Sequence, residues 1–230
     1  MKRKIQTPAN NAGRPALLLV WDLPTRLFHW LLVILVVISF ITGKTGGNAM
    51  QYHEWSGFTI LALLVFRVAW GFVGGRWSRF TNFVRGPATV WHYAVGLVLG
   101  KFEPYPGHNP LGGWSILAML MALFIQTGTG LFANDDIMTQ GPLYDWLSKP
   151  TSDWLTRIHK LNQNIIGLLV AIHLLAILFH LLIKRENLVG PMLTGVKHWQ
   201  GYTVEPANDR RWCAVVIAVL AAGAVFILVR

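Results

Sequence analysis

The chain has a single cysteine in 230 residues, Cys213. An intramolecular disulfide is therefore impossible, and a cysteine-held zinc or iron–sulfur centre lacks ligands. No C-x-x-C-H run occurs, which excludes covalently attached c-type haem. Acidic residues are also scarce, ten against twenty Lys and Arg, and none falls inside a long apolar run. A cation buried in such a run must find its counter-charge elsewhere. The formal charge of +10 could suggest nucleic acid. Its placement argues against that, because the basic residues sit in alternate loops between apolar runs instead of forming one patch.

Apolar residues are what the chain has in excess. They make up 53% of the sequence, and the mean hydropathy is positive, a composition typical of proteins that partner the lipid bilayer. Five apolar runs stand out: Phe28–Gly43, Trp55–Gly74, Trp114–Ala133, Asn164–Ile183 and Trp212–Val229. Each is near the ~20 residues that cross about 30 Å of hydrocarbon as a helix. The expected fold is an all-α membrane protein, a four-helix transmembrane bundle with a fifth transmembrane helix appended. The expected layout is a tail over 1–15, a core over 16–185 with an interfacial segment at 75–112, a linker over 186–211 and the last helix over 212–230.

Charge sets the expected orientation. The tail carries Lys2, Arg3, Lys4 and Arg14, the second loop Arg76, Arg79, Arg85 and Lys101, and the fourth Lys184, Arg185, Lys197, Arg210 and Arg211. The first loop has only Lys44, and the third sets Asp135, Asp136, Asp145 and Asp153 against Lys149. The positive-inside rule then puts the N-terminus in the cytoplasm and the C-terminus in the periplasm of a bacterial inner membrane. No A-x-A-like site follows the first span, so a cleaved signal peptide is not expected.

Between the spans, Ala16–Trp21 reads as an apolar interfacial segment, and Asp22 before Leu23-Pro24 as a helix cap. Pro87–Leu99 reads as an interfacial amphipathic helix carrying Trp91, His92 and Tyr93. His108, in PGHNPLGG, reads as a loop residue. Thr127-Gly128-Thr129-Gly130 offers either close helix packing or room for a flat ring. The acidic third loop could steer a basic soluble partner. The fifth run holds no ionisable residue inside the bilayer and reads as an anchor or subunit-contact helix.

The chemistry lies in the histidines. The stretch Trp154–Asn187 carries His159, His173 and His180, fourteen and seven residues apart. On a helix, fourteen residues return to within about 40° of the start and rise about 21 Å. Histidines in a span are costly and need partners, and stacked imidazoles suit non-covalent b-type haem iron held by axial pairs. His53 opens the second span at the depth where His159 opens the fourth, so these two should share a haem. Gly57, one turn on from His53, leaves room for a flat ring. His29 lies near the other face and needs a partner deep in the fourth span. Depth alone leaves His173 and His180 in competition. Haems 21 residues apart would stand about 31 Å apart, against about 21 Å for fourteen, and His173 is chosen on that ground. Arg67, fourteen residues from His53, has haem propionates as the counter-ions expected from sequence. His180 and His92 are candidates for a quinone site.

The motifs RLFHW, YHEWSGF with Arg67 beyond it, and RIHKLNQNIIGLLVAIHLLAILFH resemble the bacterial cytochrome b561 and nickel-hydrogenase cytochrome b-subunit family, over roughly Val20 to Lys184. The resemblance implies two haem b groups, with His53 and His159 on the outer one and His29 and His173 on the inner. It implies electron transfer between quinones and a partner at the outer face, with no catalytic residue of the chain's own assigned. GHNPLGGW, TGLFANDD and KRENLVGP are similar to the branch that works with periplasmic c-type cytochromes. The alternatives are the cytochrome subunit of a membrane-bound hydrogenase or other quinone-linked oxidoreductase, a superoxide:quinone oxidoreductase, and a haemless membrane anchor.

Overall fold

A computed structural model of the chain describes residues 16–137, 139–199 and 210–230. The expected 1–15 tail and the linker residues 200–209 lie outside these. Five helices are long and apolar enough to cross a membrane: α1 (Leu23–Thr45), α2 (Met50–Val73), α5 (Pro110–Gly130), α6 (Lys149–Leu182) and α8 (Arg211–Leu228). The expected all-α membrane fold is thus present. Short helices α3 (Phe80–Phe83), α4 (Pro87–Val98) and α7 (Val189–Thr194) lie in the connections. The amphipathic segment expected at Pro87–Leu99 is α4.

Proline and short polar caps place the helix starts. Asp22 caps α1 by accepting from the Thr25 amide at 2.8 Å, with Pro24 in the first turn. Asn109 caps α5 through the Gly112 amide at 2.8 Å, ahead of Pro110. Ser148 precedes α6, whose first turn holds Pro150. That start lies well before the apolar run at Asn164, because polar residues continue the same helix. Its 34 residues rise about 51 Å, so α6 extends beyond the hydrocarbon.

Two ends can be distinguished. The basic end holds the start of α1, the end of α2, α4 and the end of α6. The acidic end holds the α1–α2 turn and the connection from α5 to α6. Helix α2 is the packing centre, with Leu64 and Trp70 fully buried. It packs against α1, α5 and α8, while α6 packs along α5 and stands off from α1 and α2. The last helix is more than an anchor. Ala214 and Ala221, seven residues apart, are buried in the α2 core, and Val225 joins Leu61. Apolar side chains such as Ile34 and Ile41 of α1 and Leu168 and Leu175 of α6 stay exposed, as a lipid-facing surface requires.

The segment Ala16–Trp21 is not a free interfacial stretch. Its first residues form β1 (Ala16–Leu19), antiparallel to β2 (Val196–Trp199), with Leu19 opposite Val196. The strand pairing satisfies backbone groups that an extended segment at the headgroups would leave open. Gly195, at φ 89°, lets its carbonyl accept from the amides of Val20 and Trp21 at 2.9 and 3.1 Å.

Asp22 does more than cap. Its carboxylate also accepts from Ser78 Oγ at 2.8 Å, the Gly75 amide at 3.1 Å and Trp70 Nε1 at 3.3 Å, and Thr25 and Ser78 share a hydroxyl bond of 2.7 Å. The start of α1 is thereby latched to the end of α2. Asp22→Ala would strip a cap and leave partly buried donors unmet, at a cost of about 2–3 kcal/mol. The thermal midpoint in detergent is expected to fall by several degrees; an unchanged midpoint would contradict the latch.

Candidate functional site

Six of the eight histidines occur in the core or its edges, and the structure sorts them. His53 on α2 and His159 on α6 face each other at the acidic end, ring centres 6.0 Å apart and planes at 81°. Two metal–nitrogen bonds of about 2 Å, plus roughly 1 Å from each nitrogen to its ring centre, span about 6 Å. The separation suits one metal ion between two imidazoles.

Each ring is also oriented. His53 Nδ1 lies 2.8 Å from the Ser39 carbonyl on α1. His159 Nδ1 lies 2.9 Å from the Gln126 carbonyl on α5. A carbonyl can only accept, so in both rings Nδ1 carries the hydrogen and Nε2 keeps a lone pair, as in metal-ligating histidines. The Gln126 side chain reaches His159 Nε2 at 3.0 Å, with its oxygen accepting from Asn162 Nδ2 at 2.8 Å. A ligand on that nitrogen would have to displace the Gln126 amide.

Glycine shapes both pockets. A Cβ at Gly43 would stand 2.8 Å from the His53 ring, and one at Gly130 would stand 3.0 Å from the His159 ring. Of the two readings of Thr127–Gly130, Gly130 therefore serves close packing of α5 on α6, and Thr129 Oγ1 lies 3.3 Å from His159 Nδ1. Gly57 faces open space with nothing within 4 Å of a Cβ, which leaves room for a flat ring.

A second group gathers toward the basic end. His29 on α1 and His173 on α6 are near enough to interact electrostatically, and His29 Nδ1 is buried without a partner. Arg67 is 3% exposed, so it does not snorkel to the headgroups. Its guanidinium lies over the Phe80 ring at 4.8 Å from the centroid, and its Nη1 is buried and unpaired. The Asp22 carboxylate, at the same end of the bundle, is taken up by Trp70, Gly75 and Ser78.

His108 belongs to the same group and is not simply a loop residue. Its ring packs between Trp21 at 4.5 Å and Phe83 at 4.7 Å, its Nδ1 is buried and unpaired, and it senses Arg67, His173 and His29. Local sequence shows only its turn, so this placement comes from the long-range fold. Two unpaired donor-capable groups, Arg67 Nη1 and His108 Nδ1, are what an anionic ligand such as a carboxylate would satisfy.

His180 is 7% exposed and faces no second imidazole. Its Nδ1 lies 2.9 Å from the Ala176 carbonyl, and its Nε2 lies 3.4 Å from both Lys184 Nζ and Asn109 Nδ2. His92 is exposed on α4; the neighbouring Tyr93 is the residue that turns to Lys184, at 3.4 Å. At the acidic end, Lys149 clamps Asp136 at 2.6 Å and Asp153 at 3.0 Å. A cleft of about 470 Å³ there mixes Asp135 and Asp153 with Arg157 and Lys160, so the surface is less uniformly acidic than the loop sequence suggests.

Comparison with known proteins adds the family. Residues 20–195 match the family model described as prokaryotic cytochrome b561. The chain is 23% identical to a probable Ni/Fe-hydrogenase B-type cytochrome subunit of Bradyrhizobium diazoefficiens, over 82% of this chain and 88% of that one. It is 26% identical to the protein of the same description from Azotobacter chroococcum, over 76% and 86%. Identity to the probable Ni/Fe-hydrogenase 1 B-type cytochrome subunit of Escherichia coli K12 is 25%, over 77% and 89%. No solved structure matches. A multi-pass helical membrane protein with inward-facing histidines, matched over most of its length by this model, belongs to the prokaryotic cytochrome b561 family of membrane b-type cytochromes, whose cofactor is haem b.

Proposed function

We propose that the chain is a di-haem electron carrier between the quinone pool and a redox partner at its acidic face, in the inner membrane with that face toward the periplasm. The observation that carries this reading is the His53–His159 pair: facing rings, 6.0 Å apart, each with Nδ1 held by a carbonyl of a neighbouring helix. In this reading His53 and His159 hold one haem, and His29 and His173 hold the second. Arg67 and His108 offer their unpaired nitrogens to propionates of the second haem, and Gly57 leaves space at the first. Bound haem supplies one-electron redox chemistry, and the protein supplies axial ligands, burial and nearby charge, which set each potential. His159 and His173, about 21 Å apart along α6, would hold the two redox groups toward opposite sides of the bilayer, so electrons would cross without movement of the chain. The periplasmic partner is a c-type cytochrome, in keeping with the GHNPLGGW, TGLFANDD and KRENLVGP segments. A second reading makes the chain the cytochrome subunit of a hydrogenase, as the names of its relatives suggest for those proteins. Reduction of the purified cytochrome by hydrogen with an added hydrogenase, but not by a reduced soluble c-type cytochrome, would favour that second reading.

Haem content tests the core of the proposal. Pyridine haemochrome assay of the wild type is expected to give two b haems per chain. His159→Ala should leave one, and His29→Ala should leave the other, with different reduced-minus-oxidised spectra. A His53→Ala, His159→Ala double variant that retained both haems would refute the pairing.

Arg67 offers a separate test. Removing a unit charge about 10 Å from iron, at an effective dielectric constant of about 20, amounts to roughly 1.7 kcal/mol, or about 70 mV. The loss of positive charge destabilises the reduced, more negative haem. Arg67→Gln should therefore lower one of the two potentials in a spectroelectrochemical titration by up to about that amount. Equal shifts of both haems would count against its place beside the second.

A further inference from the structure

Past the second haem position, the basic end contains a buried string of ionisable groups that electron transfer alone does not require. His180 sits in the last turn of α6, with Nδ1 committed to the Ala176 carbonyl, so Nε2 presents its lone pair. Lys184 Nζ and Asn109 Nδ2 point at that lone pair, each at 3.4 Å. Asn109 can only donate there, because its oxygen is used by the α5 cap at 2.8 Å. Lys184 is the acidic proton in the group.

The surroundings of Lys184 are unusual for an ammonium. Its side chain is 6% exposed, and the nearest carboxylate oxygen, on Glu186, is 3.8 Å away. The other Glu186 oxygen is held by Lys197 at 2.6 Å. The Phe102 ring lies 5.7 Å from Nζ. Burial lowers the Lys184 pKa below the ordinary lysine value, and Lys197 adds to that lowering, while Glu186 opposes it. A lysine buried in this way is a better proton donor than one in water. The contrast with Lys149 is direct: that residue is exposed and holds two carboxylates at 2.6 and 3.0 Å, as a plain ion-pair clamp does.

Other groups facing Lys184 are less suited to carry protons. Burial pushes the Tyr93 phenol up to about 12, so it keeps its proton. Tyr105 meets Tyr93 edge to face at 5.6 Å, and its pKa is also raised by burial. Glu103 accepts from the Tyr105 hydroxyl at 3.3 Å. The backbone builds the string deliberately. Arg185 adopts φ 51°, a conformation costly for a side-chain-bearing residue, and the fold-back lets the Glu186 amide donate to the His180 carbonyl at 2.8 Å. Glu186, with 21% side-chain exposure, is the end that water can reach.

We propose that Glu186, Lys184 and His180 form a proton relay between water at the basic end and a quinone bound beside α6, an inference that rests on the quinone reading above. Reduction of a quinone to a quinol takes two electrons and two protons. For each electron delivered by the protein, the Lys184 ammonium passes one proton to His180 Nε2, leaving a neutral amine and an imidazolium. The imidazolium then passes a proton to the reduced quinone oxygen, and its Nε2 lone pair returns. Lys184 is reprotonated from water through the Glu186 carboxyl. Quinol oxidation runs the same transfers in reverse.

The test uses the purified, haem-loaded protein in detergent. Reduced protein is mixed in a stopped-flow instrument with a short-chain benzoquinone, or with ferricyanide, which takes one electron and no proton. Haem reoxidation is followed by absorbance. Lys184→Arg keeps the positive charge and the Glu186 attraction, but a guanidinium does not give up its proton. Lys184→Arg and Lys184→Met are expected to slow reoxidation by the quinone at least about tenfold and to leave the ferricyanide rate at its wild-type value. Small primary amines should restore part of the Lys184→Met rate. Haem content of two per chain and an unchanged ferricyanide rate confirm that each variant is folded. A Lys184→Arg protein that reacts with quinone at the wild-type rate overturns the relay, because a structural ion pair would predict that result. A wild type that ferricyanide oxidises and the quinone does not would remove the quinone reading, and the relay with it.

Discussion

An imidazole in hydrocarbon has two nitrogens to satisfy, and most of this molecule follows from how that is done. Backbone carbonyls within a helix are already bonded to amides, yet each has a second lone pair. Ser39 and Gln126 lend theirs to His53 and His159. This requires α1 to lie against α2 and α5 against α6, which are the two closest helix pairings in the fold. It also leaves the Nε2 of each ring with a lone pair, which in His159 meets the Gln126 side chain at 3.0 Å. Histidine burial and helix order are therefore one constraint.

That constraint explains where side chains are small. Gly43 and Gly130 stand beside the two imidazoles because any Cβ would collide with them. Large residues also line α2, where Leu64, Phe66 and Trp70 pack with α5 and α8. The last helix packs there with Ala214 and Ala221 inward. The fifth helix thereby helps to hold α2 in place from outside the histidine-bearing pairs. Asp22 fixes the remaining freedom at the basic end by joining the cap of α1 to Trp70, Gly75 and Ser78.

The two ends of the molecule treat charge differently. At the acidic end, cations and carboxylates are exposed and paired with each other. At the basic end, Arg67, His108, His180 and Lys184 are drawn inward, with buried nitrogens that are unpaired or weakly paired. Exposed pairs contribute little stability, and buried unpaired cations cost it. That cost is accepted at the basic end, while the acidic end combines exposed ion pairs with the His53–His159 pair.

The sequence by itself determined a large share of this. Run length and hydropathy located the five spans, because bilayer thickness fixes helix length whatever the neighbours. The fourteen-residue spacing of His159 and His173 put both on one helix face, because helical pitch is local. The Asp22 cap and α4 were legible for the same reason. What the sequence could not show depended on segments far apart in the chain. Ala16–Leu19 is apolar enough to lie at an interface, and only its pairing with Val196–Trp199 makes it a strand. His108 sits in turn-forming sequence, and only the approach of Trp21 and Phe83 buries it. The carbonyls that orient His53 and His159, and the approach of Lys184 to Tyr93, arise from contacts across 14 to 91 residues of chain. Local sequence specifies helices and their faces; which polar atoms end up without water is decided only when those faces meet.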